Sequence, residues 1–265
     1  MHHEHRTARR NFLKKASIGG ALALSIPQIV SAGMAAAGTG NEQPAGSARS
    51  RIKLKEGAVV LFQGDSITDA GRNKEEQSAN NGSALGGGYA FLAACELLYR
   101  HAGKNLSIYN KGISGNKVFQ LAERWDQDCI QIKPDVLSIL IGVNDYWHKH
   151  NGNYDGTVQV YRDDYRALLD RTLKQLPNVQ LIIGEPFAVN RVKAVDDSWY
   201  PEFDAYRAAA KEIATEFKAA FIPYQEIFNK AERSAPGSYW TPDGVHPSLA
   251  GANLMAHAWM ETIEK

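Results

Sequence analysis

Cysteine is scarce in this chain. Only Cys95 and Cys129 occur, neither in a C-x-x-C pair nor beside a histidine cluster, which argues against a zinc knuckle or a redox dithiol. Each falls in a stretch that reads as an amphipathic helix, so the simplest expectation is two separate, small, buried side chains. An excess of either charge is also missing: 30 basic against 29 acidic residues leave a net +1. That balance excludes a nucleic-acid-binding face or a polybasic membrane patch, and any substrate must be recognised by local groups. No apolar run reaches the roughly 20 residues of a comfortable membrane span. Internal repeats are absent, and so is the extended apolar loop that a long-chain lipid would need for entry. What remains is the ordinary composition of one soluble domain, with 44% hydrophobic and 22% charged residues over 265 positions, ample for a buried core.

The first residues read as an address. Arg9-Arg10-Asn11-Phe12-Leu13-Lys14-Lys15 is followed by a short run of small and aliphatic residues that ends at Val30-Ser31-Ala32. A basic start, a short apolar middle and a small-residue exit describe a bacterial export signal over residues 1–32. The paired arginines resemble the twin-arginine type, so the expected location is periplasmic or extracellular, with no stable membrane insertion once the signal is gone. His2, His3 and His5 precede the arginines and would leave with the signal. Residues 33–52, rich in Gly, Ala and Ser, read as a flexible linker, which leaves 53–265 as the folded domain.

From Ala58 the pattern turns regular. Short apolar runs at 58–62, 106–109, 136–141, 179–183 and 220–223 have the length and composition of strands covered on both faces. Helical periodicity lies between them: Val158, Tyr161, Tyr165, Leu168 and Leu169 share one face, as do Phe203, Tyr206, Ala210, Ile213 and Phe217. Tyr89–Arg100 and Ser248–Ile263 are further helical candidates. This β-α-β-α order predicts an α/β fold with a parallel sheet and helices on both faces, and a ligand site outside the carboxyl ends of the strands.

Four motifs stand at those ends. Gly64-Asp65-Ser66-Ile67-Thr68 follows the first strand, where a small Gly64 permits a tight turn that lifts the Ser66 hydroxyl. Asn110 to Asn116 follows the second, with Gly112 and Gly115 able to bring backbone N–H groups close to a ligand. Gly142-Val143-Asn144-Asp145 ends the third; the Asn144 amide is a neutral donor suited to an oxyanion, or else the centre of an Asx turn. Asp243-Gly244-Val245-His246 precedes the last helix, and its spacing can place the Asp243 carboxylate on one ring nitrogen of His246. Taken singly, each motif has a plain alternative as a helix cap, a loop or a surface turn.

Together and in this order, the motifs resemble the SGNH (GDSL-like) hydrolase family, with Ser66, Gly115, Asn144 and His246 at the positions that name it. The resemblance runs from about Val59 to the C-terminus. It implies a flavodoxin-like three-layer α/β/α sandwich whose five-stranded parallel sheet has the order 2-1-3-4-5. It further implies a Ser66-His246-Asp243 triad, an oxyanion hole made by the N–H groups of Ser66 and Gly115 with the Asn144 side chain, and no metal or cofactor. Asp65 is then a structural residue that bonds loop backbone.

The substrate is less directly written. Tyr146 and Trp147 follow Asn144, Trp199 lies with Arg191 in the long loop after the fourth strand, and Trp240 precedes the Asp243 turn. These five are candidate substrate contacts, since aromatic faces with polar neighbours suit a sugar ring, an acyl pocket or simple core packing. Gly71 to Gly88 reads as a polar flap over the site, or as a surface loop. The expectation is hydrolysis of a short acyl ester, in the first place acetyl, on a carbohydrate or small molecule. A lysophospholipase or thioesterase on longer chains, an acyltransferase, and a carbohydrate-binding descendant without catalysis are the alternatives. His148 and His150 near Asp145 and Asp155 invite a metal, but Asp145-x-x-His148 is read as loop-borne and the chemistry needs none.

Overall fold

The computed structural model describes residues 51–264, and the expected export signal and nearly all of the expected linker lie outside them. Strands β1 (Val59–Gly64), β2 (Ser107–Asn110), β3 (Val136–Leu140), β4 (Gln180–Gly184) and β5 (Ala220–Ile222) alternate with helices. All pairings are parallel, in the order β2-β1-β3-β4-β5, as the resemblance implied. Each strand lies within two residues of its predicted span, because a parallel strand buried on both faces must be apolar along its whole length. Every residue of the central β3 is buried.

The helices are α1 (Ser66–Asp69), α2 (Gly82–Leu85), α3 (Tyr89–Arg100), α4 (Val118–Glu123), α5 (Val143–His150), α6 (Val158–Gln175), α7 (Glu202–Glu216), α8 (Tyr224–Ala231), α9 (Gly237–Trp240) and α10 (Leu249–Met260). They form two layers, one on each face of the sheet: α3 packs on α10, which meets α8 and α9, and α6 packs between α4 and α7. Phe62 of β1 meets both Tyr89 of α3 and Trp259 of α10. The Trp259 indole donates to Ser138 Oγ at 2.9 Å, so the hydroxyl inside the central strand is satisfied from the helix layer. At the other end of the domain, Ile52 pairs with Ile263 and is 2% exposed. The folded part therefore starts one residue inside the stretch read as linker.

Three expectations need correction. The Gly142–Asp145 motif is no simple turn: it opens α5, so the Asp145-x-x-His148 segment is helical rather than loop-borne. Cys95 is exposed on α3, whereas Cys129 is buried in a π-helical turn over Asp126–Ile130, and both thiols are free. The 71–88 segment carries α2 and is fastened to the sheet: Asn80 uses its backbone and side chain to bond Ile108 and Leu106 along edge strand β2. That pairing covers backbone groups that an edge strand would otherwise leave open.

Among the described residues no helix is long and apolar enough to cross a membrane.

Candidate active site

β1 ends at Gly64, and a Cβ there would stand 2.3 Å from Leu140 O of β3 and 2.5 Å from Thr68 Oγ1. Only glycine lets the chain turn this tightly between two strands. Asp65 then caps α1, its Oδ1 accepting from Ile67 N at 3.0 Å, and Ser66 becomes the first residue of the helix. The first N–H of a helix has no intrahelical acceptor, so that of Ser66 points outward.

Ser66 Oγ lies 2.7 Å from His246 Nε2, and His246 Nδ1 lies 2.7 Å from Asp243 Oδ2. The second oxygen of Asp243 accepts from the backbone N–H groups of Val245 (2.9 Å) and His246 (2.7 Å). Burial works against the Asp243 charge, but these donors outweigh it together and hold its pKa below the ordinary carboxylate value. The carboxylate therefore orients the ring and fixes its Nδ1 proton, which leaves Nε2 as the acceptor facing the Ser66 hydroxyl.

The loop after β4 grips this turn from behind. Val189 N donates to Gly244 O (2.7 Å) and Ala194 N to Asp243 O (3.0 Å). Gly244 has φ +93, and a Cβ on it would sit 2.7 Å from Val192 O. Nothing in the sequence singled out Val189 or Ala194, because the contacts are made by backbone.

The residues expected to supply the other oxyanion donors lie on the loop after β2 and at the start of α5. Asp69 Oδ2 accepts from both the N–H (3.0 Å) and the hydroxyl (2.9 Å) of Ser114, while Asn116 N donates to Ile113 O. Between them the Gly115 N–H has no partner among the described residues. Gly112 serves packing rather than a ligand, since its Cβ would lie 2.4 Å from Asp69 N. Asn144 Nδ2 makes one long bond, 3.3 Å, to Asn116 O, and Asp145 Oδ1 accepts from Val118 N at 3.1 Å. The helix carrying Asn144 is thus tied to the loop carrying Gly115.

Arg124 joins these pieces. Its guanidinium donates to Asn116 Oδ1 (2.9 Å), Lys111 O (2.8 Å) and Asp128 Oδ2 (2.8 Å), and approaches Gly64 O at 3.5 Å. A basic residue at the end of a helical stretch reads as solvated in sequence, so this clamp carried no signal there.

The five candidate substrate contacts separate. Trp147 remains beside the site, with its ring 6.5 Å from that of His246. Tyr146 and Trp199 are 0% and 1% exposed and pack on each other at 5.2 Å, with Phe203 against both, so neither presents a face to a ligand. Trp240 donates its indole N–H to Ala231 O and Ala235 O at the end of α8. Arg191 is exposed and faces Asp197 at 3.4 Å. His148 and His150 also have other partners: His148 Nδ1 meets Lys117 Nζ at 3.1 Å, and His150 meets Tyr146 and Ser198, each at 3.2 Å.

A cavity of about 260 Å³ opens beside Ser66 and His246. The end of the 71–88 segment, at Gly87 and Gly88, forms part of its wall, together with Ile67, Ala70 and Ala252.

Comparison with known proteins places this arrangement. The profile of the GDSL-like Lipase/Acylhydrolase family matches residues 62–254. The chain is 36% identical over 214 residues to an acetylxylan esterase of Geobacillus stearothermophilus, covering 80% of this chain and 96% of that protein. Among solved structures, a protein of Parabacteroides merdae ATCC 43184 assigned as a GDSL-like lipase superimposes with a TM-score of 0.79. It shares 50% identity, over 80% of this chain and 98% of that one. Axe2, an acetylxylan esterase from G. stearothermophilus, gives a TM-score of 0.72 at 32% identity, over 81% of this chain and 97% of its own. Variants of Axe2 described as catalytic replace a serine, an aspartate and a histidine by alanine.

Proposed function

The chain belongs to the GDSL-like lipase/acylhydrolase family and is a carboxylic ester hydrolase, and from that premise we propose that it removes acetyl groups from a carbohydrate by way of an acyl-enzyme on Ser66. The observation that carries the mechanism is the continuous contact from Ser66 Oγ to His246 Nε2 and from His246 Nδ1 to Asp243, each 2.7 Å. The substrate class is supported by the acetylxylan esterases at 31–36% identity, which match nearly their whole length.

His246 Nε2 takes the Ser66 proton as Oγ attacks the acetyl carbonyl. The carbonyl oxygen becomes an oxyanion that accepts from the N–H groups of Ser66 and Gly115 and from Asn144 Nδ2. His246 then returns the proton to the leaving alcohol oxygen as the C–O bond breaks, leaving Ser66 acetylated. Water repeats the sequence, with His246 as base, and releases acetate. Asp243 keeps its charge throughout and steadies the imidazolium.

The first test is acetate release from acetylated xylo-oligosaccharides, set against fatty-acid release from a lysolipid. Acetate release by the wild type and none by a folded Ser66→Ala variant is the expected result. Asn144→Ala should retain measurable activity at about 10²–10³-fold lower turnover, since two backbone donors remain. Undiminished hydrolysis by Ser66→Ala would refute the nucleophile, and a rate maximum at C8 or longer acyl esters would refute the acetyl assignment.

The basic, apolar and small-residue segments of residues 1–32 support a further part of this reading. They favour an enzyme that works outside the cytoplasm, where polysaccharide is found.

A further inference from the structure

An ester presents two unlike ends to the enzyme, and the site is unlike on its two sides. On one side the cavity of about 260 Å³ opens past His246 toward Leu249 at the start of α10, while Gly115 and Asn144 do not border it. Its walls are apolar at Ile67, Ala70 and Ala252, and Leu249, 83% exposed, forms an apolar rim. An exposed apolar residue at a pocket mouth suits the carbon face of a sugar ring. The cavity holds far more than a methyl group needs.

Trp147 does not border this cavity; it comes one helical turn after Asn144, hence on the same face of α5, with its ring 6.5 Å from that of His246. Its ring cannot easily yield. It packs at 5.6 Å on Trp199, which is itself held by Tyr146 and Phe203.

The chemistry decides which end goes where. In the tetrahedral intermediate, the oxygen that receives the proton from His246 Nε2 belongs to the departing alcohol, so the alcohol lies on the His246 side. The oxyanion occupies the Gly115–Asn144 side. The acyl substituent takes the remaining direction, against the helix that carries Asn144 and Trp147.

We propose that the cavity beyond His246 is the subsite for the leaving sugar, and that Trp147, backed by Trp199, closes the acyl side to groups much larger than acetyl. The identity of the alcohol as a sugar rests on the function proposed above; the sidedness of the site does not.

Two substrate series separate the ends. Nitrophenyl acetate, propionate and butyrate vary the acyl group alone, and ethyl acetate against acetylated xylo-oligosaccharide varies the alcohol alone. Trp147→Ala should raise the butyrate-to-acetate ratio of kcat/KM by about tenfold or more, the scale of one or two methylenes in a pocket. Its sugar-to-ethyl ratio should change by less than about threefold on the same scale. Gly87→Leu should do the reverse. A Cβ on Gly87 has only Ala70 O near it, at 3.8 Å, so the fold accepts a side chain there.

Leu249→Ala and Trp147→Leu repeat the two arms with milder changes, and Leu249 is too exposed for the fold to depend on it. An acyl effect from Gly87→Leu with a sugar effect from Trp147→Ala would overturn the proposal, and so would flat ratios in all four variants. A wild type that prefers octanoyl to acetyl esters would remove the acetyl esterase assignment instead, while the variant ratios would still report which side holds which end.

Discussion

Asp65 and Asp145 adjoin Ser66 and Asn144, the proposed nucleophile and oxyanion donor, and both are buried. Each spends one oxygen on a backbone N–H, of Ile67 and Val118 respectively, and the other oxygen of each has no partner among the described residues. Burial raises both from 3.8 to about 7. An ionised carboxylate behind an oxyanion hole would oppose the charge that develops there, so a proton held up to neutrality suits the site. The sign follows from linkage. A carboxyl whose folded pKa is raised contributes stability that is fully present below its unfolded value near 4 and is lost as pH rises through about 7. Asp65→Asn keeps a good helix-cap acceptor without the ionisation. Thermal melting between pH 4 and 8 should therefore decline less steeply in Asp65→Asn, with roughly half of the contribution of these two groups removed. Comparing variant with wild type also cancels His148, whose pKa is lowered by burial and Lys117 and so acts in the opposite direction. Parallel melting curves would show that Asp65 does not ionise in this range. At this scale the contact of Ser66, His246 and Asp243 was legible only because their motifs occur together and in the order of a known family, since each alone reads equally as a cap or turn. Tyr146 and Trp199 were not, because an aromatic residue after a motif looks the same whether it faces a ligand or the core.

The loops that meet at the site are held to one another chiefly by groups outside the motifs. Arg124 follows the end of α4 and reaches the ends of β1 and β2 together with Asn116, whose carbonyl receives Asn144. Lysine at this position would keep the charge but lose the planar fork that bonds several acceptors at once. Arg124→Lys should therefore lower kcat by about 10–100-fold, the effect of an ångström-scale misplacement, with KM changed less than about threefold. That split belongs to an interaction realised in the transition state. A matched rise in KM with unchanged kcat would mean that Arg124 only shapes substrate binding, and a variant altered in melting temperature alone would make it purely structural. The sequence hid this layer for a physical reason. Arg124 reaches the ends of β1 and β2 through main-chain carbonyls, which carry no residue signature, and its pair with Asp128 four residues on looks like an ordinary surface pair. Helix α5 was concealed differently: Gly142 caps it and Asn144 and Asp145 lie in its first turn, all residues that favour turns, and its eight residues are too few to show a 3.6-residue period against that composition.

At the scale of the whole molecule, the parallel sheet and both helix layers were readable, because strands covered on both faces must be apolar throughout and the helices between them must keep one apolar stripe; the strand order came from the family resemblance alone. The lock between the start and end of the domain at Ile52 and Ile263 was not, since a single isolated pair leaves no periodic trace. The same architecture bears on how the enzyme would leave the cell. Both cysteines are free, so the fold needs no oxidising compartment to form. The packed sheet can be complete before transport, which is the requirement of a route that carries folded proteins, and Arg9-Arg10 at the head of the apolar run resembles the signal for that route. Replacing Arg9 and Arg10 together by lysine preserves the positive charge and removes only the paired-arginine feature. The variant should accumulate in the cytoplasmic fraction as active esterase, measured by nitrophenyl acetate hydrolysis, while the native sequence delivers that activity to the periplasm or medium. Export that continues undiminished with two lysines would assign the segment to the general secretory route. An active enzyme found only inside the cell with the native sequence intact would set aside the extracellular polysaccharide as its substrate.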